Sequence, residues 1–304
     1  MIGILVVFFE DLGNIPRLAA SLLSQDYKDF RVYCIDNNPC FQHIDAFRKV
    51  FCDFDFLPSQ GNIGFAKGNN LLAQQAIEEG CEYLFVLNPD MELASNSLSI
   101  FKKICDQNTA IGICSSVLLF GQEKRNSEQI QLFGGKANFK KQVKDFLFCN
   151  QYLISADLPD SLIVDFVNGG STFIRKEVVT RCGLFEESYF MYNDEIDLAF
   201  RVFKAGFKTV VTSKTKIWHH HDWSLKRSNQ AMYYYMMRNR YLYFKKHQLY
   251  FNLLYDLVLQ VATIPIKIKW FCGSLSKSVL KYYYLGILYG ILGEKGKSRF
   301  RFYE

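Results

Sequence analysis

Proline is scarce in this chain, with 6 among 304 residues, while aromatic residues make up 16%. Few prolines and an apolar content near one half exclude a disordered or low-complexity segment. The 9 cysteines are odd in number and form no C-x-x-C pair or zinc-like spacing. That argues against a disulfide scaffold or zinc module and for reduced thiols in a reducing compartment. Neither of the two apolar helical segments near the C-terminus reaches the ~18–20 uninterrupted apolar residues of a membrane span. The opening MIGILVVFFED has too short an apolar run, and no basic flank, for a signal peptide. A first buried strand and a cytosolic location are expected.

Acidic residues are what the C-terminal third lacks. Residues 204–304 hold 18 Lys/Arg against 4 Asp/Glu, a surplus of +14, whereas residues 1–203 hold 18 against 26, or −8. A basic segment meets nucleic acid, an anionic membrane leaflet or phosphorylated ligands. Here the Lys and Arg lie beside broad apolar faces rather than in a compact patch, so no nucleic-acid partner is expected.

What is present is an alternation of apolar strands and helices. Ile2 to Phe9 reads as a strand, followed by a polar turn and then Leu18, Leu22 and Leu23 at helical spacing. Arg31 to Ile35 and Tyr83 to Leu87 are further strands, ending in Asp36-Asn37-Asn38 and in Asn88-Pro89-Asp90, and Phe65 to Ala76 follows a Gly-rich turn as a helix. The pattern predicts an α/β fold with a mostly parallel sheet, helices on both faces, and ligands at the strand C-terminal ends. Gly121 to Pro159 reads as an excursion over that face, Leu162 to Arg175 as a strand broken at Gly169-Gly170, and Ile196 to Phe203 as a short helix closed by Gly206. The length suits one catalytic domain, residues 1–227, with a helical appendage, residues 228–304. In that appendage Asn252, Asp256 and Gln260 form one narrow polar stripe on an apolar helix that Pro265 ends, and Ser274 to Leu292 forms a second helix.

Carboxylates mark the chemistry. Asp36, at a strand end, can accept hydrogen bonds from a nucleoside or simply form an Asx turn. Asp90 could hold a hard divalent cation together with phosphate oxygens and water, or cap a helix. Asp194, Glu195 and Asp197 crowd one helix start, where the helix dipole favours them or a general base exploits them. His219, His220 and His221 follow a strand-like stretch, and one of them could complete a metal or diphosphate site.

Taken in order, the segments VVFFEDLGNIPRLAASLLSQ, CIDNN, QGNIGFAKGNN, FVLNPD and VNGGSTFIRKEVVTRCGLFEESYFMYNDEIDLAFRVFKAGFK, with a following H and RN, resemble family 2 glycosyltransferases. They are most similar to the rhamnosyltransferase-like branch that builds bacterial surface polysaccharide. The resemblance covers roughly residues 2–245. It implies a GT-A fold, a nucleotide-diphosphate sugar donor (dTDP- or UDP-sugar), a divalent cation (Mg or Mn), and metal-dependent inverting transfer of a hexosyl or rhamnosyl group. The acceptor it implies is a saccharide or lipid-linked saccharide of O-antigen, capsule or lipooligosaccharide. On the donor side it implies Phe8, Asp36, Asn38, Asn62, Gly64, Phe65, Gly68, Asn69, Asn88, Asp90 and Gly170, with Asp90 and His219 toward metal. Asn88 stands where the first acid of the family's D-x-D motif would be. The family's base motif, Glu-Asp then x-Asp-Leu, is here Asp194-Glu195-Ile196-Asp197-Leu198, with its two acids swapped. Alignment makes Glu195 the base and Asp194 the close alternative.

A dinucleotide-dependent oxidoreductase is the second reading, from the shared α/β order and glycines, but Gly61, Gly64 and Gly68 form no G-x-G-x-x-G and do not directly follow the first strand, which argues against it. A non-catalytic nucleotide-sugar-binding module stays open on the swapped acids and Asn88. The tail, with Lys267, Lys269, Lys277 and Lys281 beside its apolar faces, is expected to dock peripherally on the inner face of the cytoplasmic membrane, the other reading being packing on the catalytic domain or a homodimer interface.

Overall fold

The computed structural model describes the chain except residues 10–11, 39–41, 52, 60, 122–127, 221–228, 275–276, 301 and 303–304; the side chains of 42, 229, 270–274 and 277 are also not described. His221 therefore lies outside the described residues.

The chain begins β1 (Ile2–Phe8), α1 (Ile15–Leu23), β2 (Phe30–Asp36), α2 (Gln42–Arg48), β3 (Phe54–Leu57), α3 (Phe65–Glu78) and β4 (Tyr83–Leu87). Strand periodicity assigns β1 to two cores. Ile2, Ile4, Val6 and Phe8 pack with Leu18 and Leu22 of α1 and Phe47 of α2, while Leu5 packs with Leu72, Ala73 and Ala76 of α3. Helices thus cover both faces of the sheet, and α1 starts at a proline in its first turn, where no backbone N–H is missed.

There follow β5 (Met91–Leu93), α4 (Ser97–Gln107), β6 (Ile111–Phe120), β7 (Ile130–Leu132), β8 (Gly135–Asn138), β9 (Val143–Phe146), β10 (Ser161–Val164), β11 (Ser171–Arg175), α5 (Lys176–Cys182), α6 (Asp194–Lys204) and β12 (Lys208–His219). Among the described residues ten strands make one sheet, with main order β10-β12-β6-β11-β4-β1-β2-β3, β5 pairing β12 and β7 pairing β6. β3, β2, β1 and β4 are parallel; β11 is antiparallel to both β4 and β6, and β12 is parallel to β6. Six strands therefore run one way.

The stretch Leu162 to Arg175 is not a single broken strand. β10 pairs with β12 at the sheet edge, whereas β11 lies inside, with β12 and β6 between them. The Gly169-Gly170 turn carries the chain across the sheet. The excursion from Gly121 contains β7 and the separate β8-β9 hairpin.

The remaining helices are α7 (Asn229–Lys246), α8 (Tyr250–Ala262), α9 (Ile264–Ser274) and α10 (Lys277–Leu292). α8 ends before Pro265, which sits in the first turn of α9, and α9 is a helix of its own that sequence periodicity missed. α7 and α10 lie side by side in the same direction: Gln230 donates to Ser278 Oγ at 3.0 Å near one end, and Lys245 donates to the Ile291 carbonyl near the other.

α8 is amphipathic with its polar stripe turned inward. Asp256 is buried, accepting from Arg240 Nη2 at 2.7 Å, Tyr241 Oη at 2.6 Å and Gln260 Nε2 at 3.2 Å, while Phe251, Leu254, Val258 and Val261 are exposed. Lys267 also turns inward, donating to Gln260 Oε1 with its ammonium 5.1 Å from the Tyr283 ring centroid. It does not stand free beside the apolar face for headgroups to meet, because this half-buried acceptor and the Tyr283 ring hold it. Lys269 and Lys281 are exposed.

Candidate active site

The C-terminal ends of β1, β2 and β4 open on a pocket of about 400 Å³, a size suited to a small-molecule ligand. One wall is the Gly-rich turn before α3. Gly64 has φ +90° and a Cβ there would lie 2.7 Å from the Phe190 ring, so the backbone conformation and the close approach both require glycine. Asn37 Nδ2 donates to the Gly64 carbonyl at 3.3 Å, and Phe65 N–H donates to the Phe190 carbonyl at 3.3 Å. On the other side a Cβ at Gly170 would meet Asn88 Nδ2 at 2.4 Å; Asn88 N–H donates to the Gly170 carbonyl at 2.8 Å, and Gly170 N–H to Asn168 Oδ1 at 2.8 Å. Asn88 is thereby fixed against the turn that leads into β11.

The acids arrive on α6 from an unusual turn. Phe190, Tyr192 and Asn193 have φ of +67°, +64° and +70°, left-handed backbone that non-glycine residues avoid. Asn193 donates to Gln142 Oε1 at 3.2 Å, and Asp194 and Glu195 follow on the pocket wall. Their environments differ sharply. Asp194 is 3% exposed and its Oδ1 is buried without a hydrogen-bond partner; burial, reinforced by the charges of Glu195 and Asp197, pushes its carboxyl well above the ordinary range. Glu195 is 26% exposed and ion-paired with Lys144 of β9. Burial alone would raise Glu195, but the Lys144 charge and hydrogen bond outweigh it and hold the group below the ordinary glutamate value.

Asp197 does different work. It is fully buried and accepts from Arg201 Nε at 2.8 Å, Lys246 Nζ at 2.9 Å, His247 Nε2 at 2.7 Å and Tyr189 Oη at 3.2 Å. These contacts tie α6 to the end of α7.

Asp90, 6% exposed, lines the pocket floor, and its Oδ2 lies 3.2 Å from His219 Nε2. His219 Nδ1 is 2.9 Å from Gln131 Oε1, which accepts only.

A family model described as "Glycosyl transferase family 2" matches residues 4–180, more than half of the chain. The chain belongs to glycosyl transferase family 2. The low-salt glycan biosynthesis hexosyltransferase Agl10 of Haloferax volcanii is 30% identical over 154 residues, covering 49% of this chain and 46% of that protein. Rhamnosyltransferase WbbL of Escherichia coli (strain K12) is 23% identical over 215 residues, 68% and 79% of the respective chains. The chain thus spans about half the length of the first of these relatives, 46%. Among solved structures, GalNAc-T7 with UDP, GalNAc and Mn2+ superposes with a TM-score of 0.62 at 11% identity, over 81% of this chain and 47% of that one. S. aureus TarS 1-349 gives 0.55 at 14% identity, over 96% and 80%. The fold is GT-A, as the motifs implied.

Of the family 2 positions carried from sequence, the pocket wall gathers Asn62, Gly64, Phe65, Asn88, Asp90, Gly170, Asp194 and Glu195. Phe8, Asp36, Asn38, Gly68, Asn69 and His219 are not on it; His219 stands behind Asp90, and the others are turned away for a local reason. Phe8 and Asp36 are register partners directed to the α1-α2 side, where Phe8 stacks on His43, and Asp36 accepts from the His43 ring at 3.1 Å and from the Asn38 N–H at 2.9 Å. The neighbours one residue on, Phe9 and Asn37, face the pocket instead. Gly68 packs on Val7 and Ile35, and Asn69 Nδ2 donates to the Phe65 carbonyl at 3.0 Å. Sequence reading missed Asn37, Asn168, Lys144 and the aromatic wall of Phe146, Phe166 and Phe190.

The family's divalent cation fits the floor as a partial site. Among the described residues no three His, Cys, Asp or Glu gather to enclose an ion. Asp90 supplies one hard oxygen and His219 one nitrogen, a donor set that phosphate oxygens and water would complete.

Proposed function

We propose that this chain is an inverting glycosyltransferase that moves a hexosyl or rhamnosyl group from a dTDP- or UDP-sugar to a saccharide or lipid-linked saccharide in surface-polysaccharide synthesis, with Glu195 as its general base. The observation that carries this reading is the contrast between two adjacent pocket acids: Glu195 is ion-paired with Lys144 and held below its ordinary value, while Asp194 is buried with an unpartnered Oδ1 and pushed above its own. Neighbouring carboxyls pushed apart in this way mark an acid-base assignment. Glu195 takes the proton of the acceptor hydroxyl as its oxygen attacks the anomeric carbon; the bond from that carbon to the donor phosphate breaks, and its electron pair leaves on the diphosphate. Burial of Asp194 favours its neutral form and so disfavours a second negative charge beside the base. Asn37 and the Gly64 turn support the donor wall. Asp90 and His219 would hold Mg or Mn, which would neutralise charge on the departing diphosphate.

Screening the purified protein against nucleotide sugars with Mn2+, for thermal stabilisation and slow donor hydrolysis, tests this. Stabilisation without hydrolysis of any donor would instead support a non-catalytic binding module. Asp90→Asn keeps the shape but loses the charge that a hard cation needs, and is expected to abolish metal-stimulated hydrolysis; unchanged metal dependence at wild-type rate would remove Asp90 from the site.

On the same reading the protein works in the cytoplasm, docked on the inner face of the cytoplasmic membrane through α8 and α9. Among the described residues no helix is long and apolar enough to cross a membrane. The exposed Phe251, Leu254, Val258, Val261, Ile266 and Ile268, the exposed Lys269 and Lys281, and the +14 balance of residues 204–304 support an anionic leaflet as the occupant. Each lysine near such a surface contributes about 1 kcal/mol. The full chain is expected to float with phosphatidylglycerol vesicles at low salt and less with phosphatidylcholine, and the triple variant Phe251→Ser, Leu254→Ser, Val258→Ser to stay unbound. Equal flotation of both proteins would overturn docking through this face. A wild-type dimer in light scattering that the triple variant splits would assign the face to a second copy.

A further inference from the structure

The Arg-Asn pair that closes the family-like motifs lies on α7, far along the chain from the acids, and both side chains are fully buried. Asn239 Nδ2 donates to the carbonyls of Tyr189 at 3.1 Å, Met191 at 2.7 Å and Tyr192 at 3.0 Å. Its amide is held one way round, because Arg238 Nε and Nη2 both donate to Asn239 Oδ1, at 3.0 and 2.9 Å. Arg238 also donates from Nη2 to the Tyr189 carbonyl at 2.7 Å and from Nη1 to the Gly296 carbonyl at 2.7 Å. The guanidinium lies 4.7 Å from the Tyr235 ring centroid. One amide and one guanidinium thus collect the carbonyls of the turn that reverses into α6.

Locally the turn is closed by Met191 N–H donating to the Tyr189 carbonyl at 2.8 Å, a bond that spans Phe190 and leaves Tyr192 and Asn193 outside it. Phe190, Tyr192 and Asn193 are all left-handed and none is glycine, so backbone preference alone would relax it. The turn sets two parts of the site at once. Phe190 packs on Gly64 and accepts from Phe65 N–H, which fixes the donor wall. Asn193 begins α6 and so determines where Asp194 and Glu195 point. The next residue of α7 serves the other side of the base: Arg240 Nη2 donates to the Lys141 carbonyl at 2.9 Å, and Nη1 to that of Gln142 at 3.3 Å, in the hairpin that brings Lys144 to Glu195.

We infer that Asn239, oriented by Arg238, is a positioning residue that holds the acid-bearing turn in its left-handed geometry, making α7 part of the catalytic apparatus. It touches no substrate and acts through Glu195 and the Gly64 wall. The inference rests on the reading of Glu195 as base, so its test has one arm that needs no activity.

Three variants of the full chain are compared. Asn239→Leu is close in size but donates nothing. Asn239→Asp keeps the oxygen that faces Arg238 and loses the donors. Val279→Ala loosens α10 without touching the turn. By hydrogen exchange, peptides spanning residues 186–196 are expected to exchange at least about tenfold faster in both Asn239 variants, with β1 and β4 unchanged. In donor hydrolysis with Mn2+, well below the melting temperature, both are expected to lose about a hundredfold in kcat with donor KM within a few-fold, as a displaced base should show. The Asp variant should recover in part as pH falls and its carboxyl regains one donor. Val279→Ala should melt earlier with kcat unchanged. Unaltered exchange over 186–196 overturns the clamp itself, and faster exchange with wild-type kcat overturns its catalytic meaning. Should Asn239→Leu fail to fold, the Asp variant carries both arms. Should the wild type hydrolyse no donor, the base reading falls while the exchange result still decides the clamp.

Discussion

Glu195→Gln is expected to lower turnover at least about a hundredfold with little change in donor affinity, because glutamine keeps the size and an oxygen toward Lys144 but takes no proton. The pH profile carries a second signature. A general base works deprotonated, so activity falls as pH drops through its pKa. Lys144 holds Glu195 below the ordinary glutamate value despite burial, which puts the acid limb of kcat/KM below the ordinary glutamate range. Lys144→Gln removes the lowering influence and leaves burial, so the limb should move upward. Loss of turnover in Asp194→Asn with Glu195→Gln still active would transfer the role to Asp194. Full activity in both variants would put the base elsewhere.

The second large effect is on stability. Asp197→Ala should cost about 3–5 kcal/mol, the range for breaking a buried ion pair while its partners stay behind. Arg201, Lys246 and His247 all point at this one carboxylate; Lys246 keeps Glu186 as a second partner at 2.7 Å, while the His247 side chain, 7% exposed, is left buried. Chemical denaturation of the variant measures the loss; a change under about 1 kcal/mol would show that the cluster contributes little. The sign with pH follows from the direction of the shift. Burial opposes ionisation, but the His247 hydrogen bond and the charges of Arg201 and Lys246 hold Asp197 far below its ordinary value. Its contribution is fully present above about pH 4, the unfolded aspartate range, and is lost as pH falls toward the folded value.

Local signals in the sequence carried far. The apolar run Tyr83–Leu87 is β4 to the residue, and α6 ends before Gly206, whose φ is +84°. Of the polar residues at strand ends, Asn37, Asn88 and Asp90 line the pocket and Asp36 and Asn38 do not, since parallel strands deliver their C-terminal ends to one edge but alternate residues to opposite faces. Partners distant in sequence were not legible. Lys144 and Glu195 are 51 residues apart and meet only because the hairpin folds back over the site. β10 and β11 look continuous because strand character is local and strand neighbours are not. Alternation shows that Asp36 and Asn37 face opposite sides, but which side holds the pocket depends on the helices packed there. The stripe of Asn252, Asp256 and Gln260 shows the limit from another angle. Periodicity found the stripe, yet only the Arg240 and Tyr241 donors reveal that it faces inward.

The carbonyls at Tyr189, Met191 and Tyr192 find their donors 47 to 50 residues later, and Arg238 in turn waits for Gly296, a further 58 residues on. At a synthesis rate of about 5–20 residues per second, the turn before α6 is made several seconds before its amide partner exists. A nascent chain can build the β1–β4 sheet early, from near neighbours, while the acids remain unset. The catalytic surface is therefore set only after α7 has followed the sheet, and a chain ending before α7 would carry its strands without the amide that gathers the carbonyls of the turn.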